Sequence, residues 1–223
     1  MKVCGTTSEE DALLAVAMGA DSVGFIFAPS ARQVSPAVVA HIVGRLPPEV
    51  VTVGVFRDSA PEQVVKVVNG IGLKAAQLHG RETPAQVQWV VERVPLVINA
   101  FPAGSKAITR AREYGAQVVM LDAPSPGSGQ VFDWSLVEGV PPGSRLLLAG
   151  GLTPENVADA IAQARPWGVD VCTGVESEPG RKDAVKLRAF VANARAAAPE
   201  DDADGDSADD PGGAGPFDWE ATD

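Results

Sequence analysis

Eight short runs of aliphatic and β-branched residues, recurring about every 20–30 residues, restrict the fold more than any other feature of the chain. They cover 2–5, 22–27, 51–56, 74–79, 96–101, 118–122, 146–150 and 170–175. Most are unbroken apolar stretches rather than polar–apolar alternations, the pattern of parallel strands packed on both faces. The alanine-rich, amphipathic segments between them carry helix punctuation. Ser8 opens a Ser-x-x-Asp box ending at Asp11, and Ser35-Pro36, Thr83-Pro84 and Thr153-Pro154 each set a capping hydroxyl before a proline suited to a first helical turn. Gly19, Gly70, Gly115 and Gly168 read as stop signals.

Eight strands, each followed by a helix or helix-like segment, predict an α/β fold: a single-domain (β/α)8 TIM barrel over residues 1–198. An open doubly wound sheet is the other candidate. It usually has fewer strands and wants a glycine-rich dinucleotide turn after the first, where this chain has Gly5-Thr6-Thr7-Ser8. Residues 199–223 are a different material, rich in Asp, Gly, Ala and Pro, and read as a disordered acidic tail. The tail holds ten of the 29 acidic residues, so a formal charge of −11 overstates the body, where 19 acids meet 18 Lys and Arg. Neither part suggests a nucleic-acid partner. The tail's one apolar cluster, Phe217-Asp218-Trp219, repeats Phe132-Asp133-Trp134, either by chance in a low-complexity segment or as a short docking motif.

No apolar run approaches the roughly 18 residues of a spanning helix, and the opening Met1-Lys2-Val3-Cys4-Gly5 has no signal-peptide core, so a cytoplasmic protein without membrane contact is expected. Cys4 and Cys172 make no disulfide framework, and with only His41 and His79 beside them no metal site is expected.

Chemistry in a parallel barrel collects at the C-terminal strand ends. Gly150-Gly151, followed by Leu152-Thr153-Pro154, lets backbone approach a ligand at a helix start, and Thr173-Gly174 offers the same one strand later. Together they resemble a phosphate site on strands seven and eight, and a pair of tight turns is the alternative. Cys4 and Asp122, at the ends of strands one and six, can serve as base and acid from different sides of a sugar. A strand-end cysteine also fits as a small buried hydrophobe, whereas a carboxylate buried without purpose is costly. Arg32 is a bidentate anion clamp or a solvated loop arginine. His79 can touch ligand but reads first as locally hydrogen-bonded, His41 as structural, and Cys172 as packing or backbone presentation.

These segments form an ordered series that resembles the phosphoribosylanthranilate isomerase family. It runs through Lys2-Val3-Cys4-Gly5-Thr6, Gly24-Phe25-Ile26-Phe27, Ser30-Ala31-Arg32-Gln33-Val34, Val53-Gly54-Val55-Phe56, Gln77-Leu78-His79-Gly80 and Leu121-Asp122. It continues with Gly127-Ser128-Gly129, Phe132-Asp133-Trp134, Leu148-Ala149-Gly150-Gly151-Leu152, Gly168-Val169-Asp170-Val171, Gly174-Val175-Glu176, Pro179-Gly180 and Lys182-Asp183. The resemblance implies the Amadori rearrangement of N-(5-phosphoribosyl)anthranilate in tryptophan biosynthesis, acting on a small phosphorylated substrate without metal or organic cofactor, as a monomer or homodimer. By carry-over Asp122 would protonate the ribose ring oxygen and Cys4 would take the proton from the neighbouring carbon. Arg32 would hold the anthranilate carboxylate, and Gly150, Gly151, Thr173 and Gly174 the phosphate. Gln77 and Asp170 would contact the sugar or place Asp122. The chain departs from the family pattern at Cys172-Thr173, where paired serines are usual, at Ser128, and in the acidic tail.

The related sugar-phosphate isomerases of histidine biosynthesis, including dual-substrate forms, resemble this family in mechanism. They carry an aspartate where Cys4 stands and need two phosphate sites in opposite halves, whereas the glycine-rich signal here lies on one side. From other classes, a non-catalytic phospholigand-binding barrel would fit if Cys4 or Asp122 were missing, and a Cys4 redox sensor would be recognised by regulation beyond its own activity.

Overall fold

The structure is a computed structural model that describes residues 1–123 and 133–199. Each apolar run forms a strand: β1 (Lys2–Val3), β2 (Ser22–Ile26), β3 (Val51–Phe56), β4 (Ala75–Leu78), β5 (Val97–Pro102), β6 (Val118–Asp122), β7 (Leu146–Leu148) and β8 (Gly168–Val171). Neighbours in sequence pair in parallel, and β8 closes on β1 through Lys2↔Asp170 and Val3↔Val171. The result is the expected (β/α)8 barrel. The expectations on Gly127-Ser128-Gly129, on Phe132 and on the tail from 200 onward lie outside the described residues.

Side chains alternate across each strand. Those of β3 to β7 that point inward, with the residue after β7, form an apolar plug of Val53, Ala75, Ile98, Ala100, Val118, Met120, Leu147 and Ala149. Outward-pointing residues such as Val3, Val23, Phe25, Leu78 and Leu148 pack with the helical layer, where Leu187 and Phe190 are fully buried. On the β8–β1 side the inward positions are polar: Lys2, Cys4 and Asp170, all buried. Polarity in that sector leaves the barrel closed while giving its interior charge.

The helices are α1 (Glu9–Ala17), α2 (Pro36–Val43), α3 (Pro61–Ile71), α4 (Pro84–Val91), α5 (Val157–Ala164) and α6 (Ala184–Ala197). The hydroxyls of Ser8, Ser35 and Thr83 cap α1, α2 and α4 as expected, and Gln86 completes a capping box with Thr83. Three readings are corrected. Gly70 lies within α3, which runs on to Gly72, where φ is +80° and the left-handed cap forms. Gly168 belongs to β8, and α5 is stopped instead by Arg165 at φ +42°. Thr153-Pro154 does not open α5 directly. Asn156 Oδ1 takes the Thr153 N–H at 2.8 Å and Thr153 Oγ1 takes the Glu155 N–H at 3.2 Å, so side-chain turns hold 153–156 and the helix begins at Val157.

After β5 and β6 the layer is made of 3₁₀ segments, Lys106–Tyr114 and Trp134–Gly139. The run read as a strand over 170–175 ends at Val171. Cys172 turns the chain into a single 3₁₀ turn, Thr173–Val175, followed by an antiparallel hairpin of β9 (Glu176–Glu178) and β10 (Arg181–Lys182) that the sequence reading did not anticipate. Among the described residues no helix is long and apolar enough to cross a membrane.

Candidate active site

The C-terminal strand ends surround one open cavity, and the inward alternation that makes the plug also supplies its walls. Cys4, Gln77, Asp122 and Asp170 reach it from β1, β4, β6 and β8, Arg32 from the loop after β2, and Gly150, Gly151 and Thr173 from the loops after β7 and β8. Gly174, the remaining expected residue, is not on the wall. A Cβ there would lie 2.0 Å from the Leu152 carbonyl oxygen, so its absent side chain lets the β8 turn close against the β7 turn. Among the described residues no group of three or more His, Cys, Asp or Glu is placed to hold a metal.

Asp122 is buried and firmly aimed. Its Oδ1 accepts the Ala123 N–H at 2.8 Å, and its Oδ2 lies 3.1 Å from His79 Nε2. Gln77 Nε2 lies 3.0 Å from His79 Nδ1. With the amide donating, Nδ1 is the acceptor, so Nε2 carries the ring proton and donates it to Asp122. His79 is therefore more than a locally satisfied residue: its second nitrogen serves the rim carboxylate. The i, i+2 spacing sets Gln77 and His79 on one face of the chain at the end of β4. Gly150, at φ +86°, permits this seat, since a Cβ would meet Ala123 N at 2.4 Å and Asp122 Oδ1 at 3.0 Å. Gln77 is 1 % exposed, and its Oε1 has no partner among the described residues, which leaves a buried acceptor on a residue of the cavity wall.

Arg32 is not a solvated loop residue. Its Nε donates to Glu176 Oε1 at 2.8 Å and its Nη2 to Oε2 at 2.7 Å, a bidentate fork that keeps the guanidinium charged. Lys182, its side chain fully buried, donates to Glu176 Oε1 at 3.1 Å and to the Cys4 carbonyl oxygen at 2.6 Å. Burial pushes the Glu176 carboxyl up, but the Arg32 fork and Lys182 outweigh it and leave the group below the ordinary carboxylate range. One carboxylate between two cations gives this corner of the cavity a surplus positive charge. Glu176 and Lys182 were missed as site residues; the turn dipeptide Pro179-Gly180 between them, with Gly180 at φ +84°, was the signal of the hairpin that carries them to Arg32.

Cys4 is 5 % exposed, with Lys2 below it on the same inward face and Lys2 Nζ bonded to Asp170 Oδ1 at 2.9 Å. Burial pushes the Cys4 thiol above its ordinary range, and the Lys2 ammonium opposes this without reversing it. Burial likewise pushes Cys172 up, to about 12, which keeps that thiol neutral.

An acid, a thiol, a cationic clamp and glycine turns on neighbouring strands suit proton transfer on a small anionic sugar derivative. Comparison with known proteins agrees. The family model for N-(5'phosphoribosyl)anthranilate (PRA) isomerase matches residues 1–193. N-(5'-phosphoribosyl)anthranilate isomerase of Desulforudis audaxviator is 45% identical over 201 residues, covering 88% of this chain and 98% of the relative. The crystal structure of phosphoribosyl anthranilate isomerase from Thermus thermophilus superposes with a TM-score of 0.82 at 42% identity, over 87% of this chain and 98% of that one. A crystal structure of phosphoribosyl anthranilate isomerase in complex with reduced 1-(O-carboxyphenylamino)-1-deoxyribulose 5-phosphate matches with a TM-score of 0.77 at 41% identity, over 87% and 97%. A family match over nearly the whole barrel, with relatives this similar along almost their full length, means that this chain belongs to the N-(5'-phosphoribosyl)anthranilate isomerase family.

Proposed function

We propose that Cys4 and Asp122 are the base and acid with which this isomerase converts N-(5'-phosphoribosyl)anthranilate into 1-(2-carboxyphenylamino)-1-deoxyribulose 5-phosphate in tryptophan biosynthesis. The single observation that carries the assignment is the meeting of Cys4, Arg32, Asp122 and the Gly150–Gly151 turn in one cavity, which pairs each part of the substrate with a partner of matching chemistry. Arg32 faces the anthranilate carboxylate. The backbone of Gly150, Gly151 and Thr173, closed over Gly174, receives the phosphate. Gln77 Oε1 accepts from a sugar hydroxyl, and Asp170 stands beside it on the wall.

Asp122 gives a proton to the ribose ring oxygen, the ring C–O bond breaks, and the anthranilate nitrogen forms a Schiff base with the first sugar carbon. The Ala123 N–H and His79 aim the carboxyl group and stabilise the carboxylate that donation leaves behind. The Cys4 thiolate then removes the proton from the second carbon. The C–H electron pair enters the enolamine, which tautomerises to the ketone as its first carbon gains a proton and the hydroxyl on its second carbon loses one. We assign this activity to residues 1–198, place the protein in the cytoplasm, and leave residues 199–223 outside the catalytic unit.

The test is loss of anthranilate-type fluorescence when enzymatically generated phosphoribosylanthranilate meets the purified protein, against an enzyme-free blank. Cys4→Ser and Asp122→Asn are each expected to lower kcat by roughly 10²–10⁴-fold. A variant that keeps wild-type turnover removes its residue from the proposed pair.

A further inference from the structure

Lys2 has no part in the proton transfers above, yet it places a charge in the barrel interior. Its side chain is 3% exposed, it lies inside the strand ring, and its only salt-bridge partner among the described residues is Asp170. An unpaired buried ammonium would give up its proton. Here burial pushes Lys2 down, but Asp170 and then Cys4 more than reverse it, and the group stays charged.

Lys2 and Cys4 are two residues apart and share the inward face. Gly24 on β2 leaves open the space they use. A Cβ there would be 2.9 Å from Cys4 Sγ and 3.1 Å from Lys2 Nζ, so the two atoms flank one point and are separated by about 6 Å at most. That is within the range over which an opposite charge favours an ionised group by about 1–3 pKa units. The other charged groups near the thiol are otherwise engaged. Lys182 binds the Cys4 carbonyl oxygen and Glu176, Arg32 is forked onto Glu176, and the Cys172 thiol is neutral. Asp170, bonded to Lys2, competes with the thiolate for the same ammonium.

We propose that Lys2 is the positioning residue that makes Cys4 a base: its ammonium is the counter-charge of the thiolate, and Asp170 sets how much of that charge the thiolate receives. The proposal rests on the reading of Cys4 as the base. Lys2 stays protonated throughout. The thiolate takes the carbon-bound proton and becomes a thiol, and the electron pair passes to the enolamine.

Two signs follow from one ammonium shared by two acids. Lys2→Met removes the counter-charge and should move the Cys4 ionisation up by at least about one pH unit, which lowers the thiolate fraction near neutral pH about tenfold. Asp170→Asn leaves Cys4 as the sole counter-ion and should move it down. The experiment is the pH dependence of iodoacetamide alkylation at Cys4, resolved by peptide mass spectrometry on the full chain, so that Cys172 does not interfere. In parallel the kcat profile of Lys2→Met should shift to higher pH with KM within about twofold of wild type. If Lys2→Met strands Asp170 and fails to fold, Lys2→Met/Asp170→Asn removes both charges and should still titrate above wild type. An unchanged Cys4 profile in the Lys2 variants, or shifts of the same sign in Lys2→Met and Asp170→Asn, overturns the proposal. Full turnover by Cys4→Ser overturns the base assignment instead, whatever the alkylation shows.

Discussion

Glu176→Gln is the substitution with the most to say about how this site is held. The wild-type carboxylate is 4% exposed and sits between Arg32, 13% exposed, and Lys182, 0% exposed. The amide keeps the size and removes the charge, leaving two cations facing a neutral group. Breaking a buried pair in this way costs about 3–5 kcal/mol. Lys182 keeps the carbonyl oxygens of Cys4 and Cys172, and Arg32 borders the cavity, so about 3 kcal/mol is expected. For a domain of this size that lowers Tm by about 6–12 °C. Lys182→Met should cost a similar amount, but the double variant should cost at least about 1 kcal/mol less than the two singles together, because it no longer buries an unpaired Lys182. Urea unfolding of the four proteins gives the cycle. Because the Glu176 carboxyl is held below its unfolded value of about 4.3, its contribution is present above that pH and is lost as pH falls through the folded value. The difference between wild type and Glu176→Gln should therefore shrink in acid. A loss under about 1 kcal/mol at neutral pH, or strictly additive singles, would mean that Glu176 does not hold the two cations.

Other outcomes are expected. Gly174→Ala puts a methyl group 2.0 Å from the Leu152 carbonyl oxygen, so it should cost about 1–3 kcal/mol in urea unfolding and raise KM for the phosphorylated substrate as the two turns part. Burial pushes the Cys172 thiol up to about 12, so the folded chain keeps a proton that the unfolded chain releases above about pH 8.5. Stability should then fall as pH rises from there, and Cys172→Ala should show a shallower fall in alkaline melting curves. Ending the chain after Pro199 should leave kcat and KM unchanged in the fluorescence assay, since the family match stops at residue 193.

The barrel was legible because its strands are covered on both faces, so they appear as unbroken apolar runs such as 51–56 and 118–122. Where side chains compete for the backbone, the local signal misled. Thr153-Pro154 looks like a helix start until Asn156 claims the Thr153 N–H. Asp170-Val171-Cys172-Thr173 looks like one strand until Cys172 turns the chain out of the ring. Of the nine expected site residues, eight line the cavity because strand-end position is itself a sequence property, and Gly174 acts one layer behind. The partners that tune those residues were less visible. Arg32 and Glu176 are 144 positions apart and meet only because β9–β10 fold back over the rim. Lys2 stood in plain view two residues before Cys4, but its meaning depends on lying beside Asp170 where β8 closes the barrel onto β1.

On the proposed assignment, one rim cavity divides the substrate among an acid, a base, a carboxylate clamp and a phosphate turn. A crystal structure of this protein with the reduced product analogue tests it most directly. The aromatic carboxylate is expected on Arg32, the phosphate against Gly150, Gly151 and Thr173, and the sugar carbons between Cys4 Sγ and the Asp122 carboxyl group. A phosphate bound at Arg32, or a sugar out of reach of either Cys4 or Asp122, would contradict it.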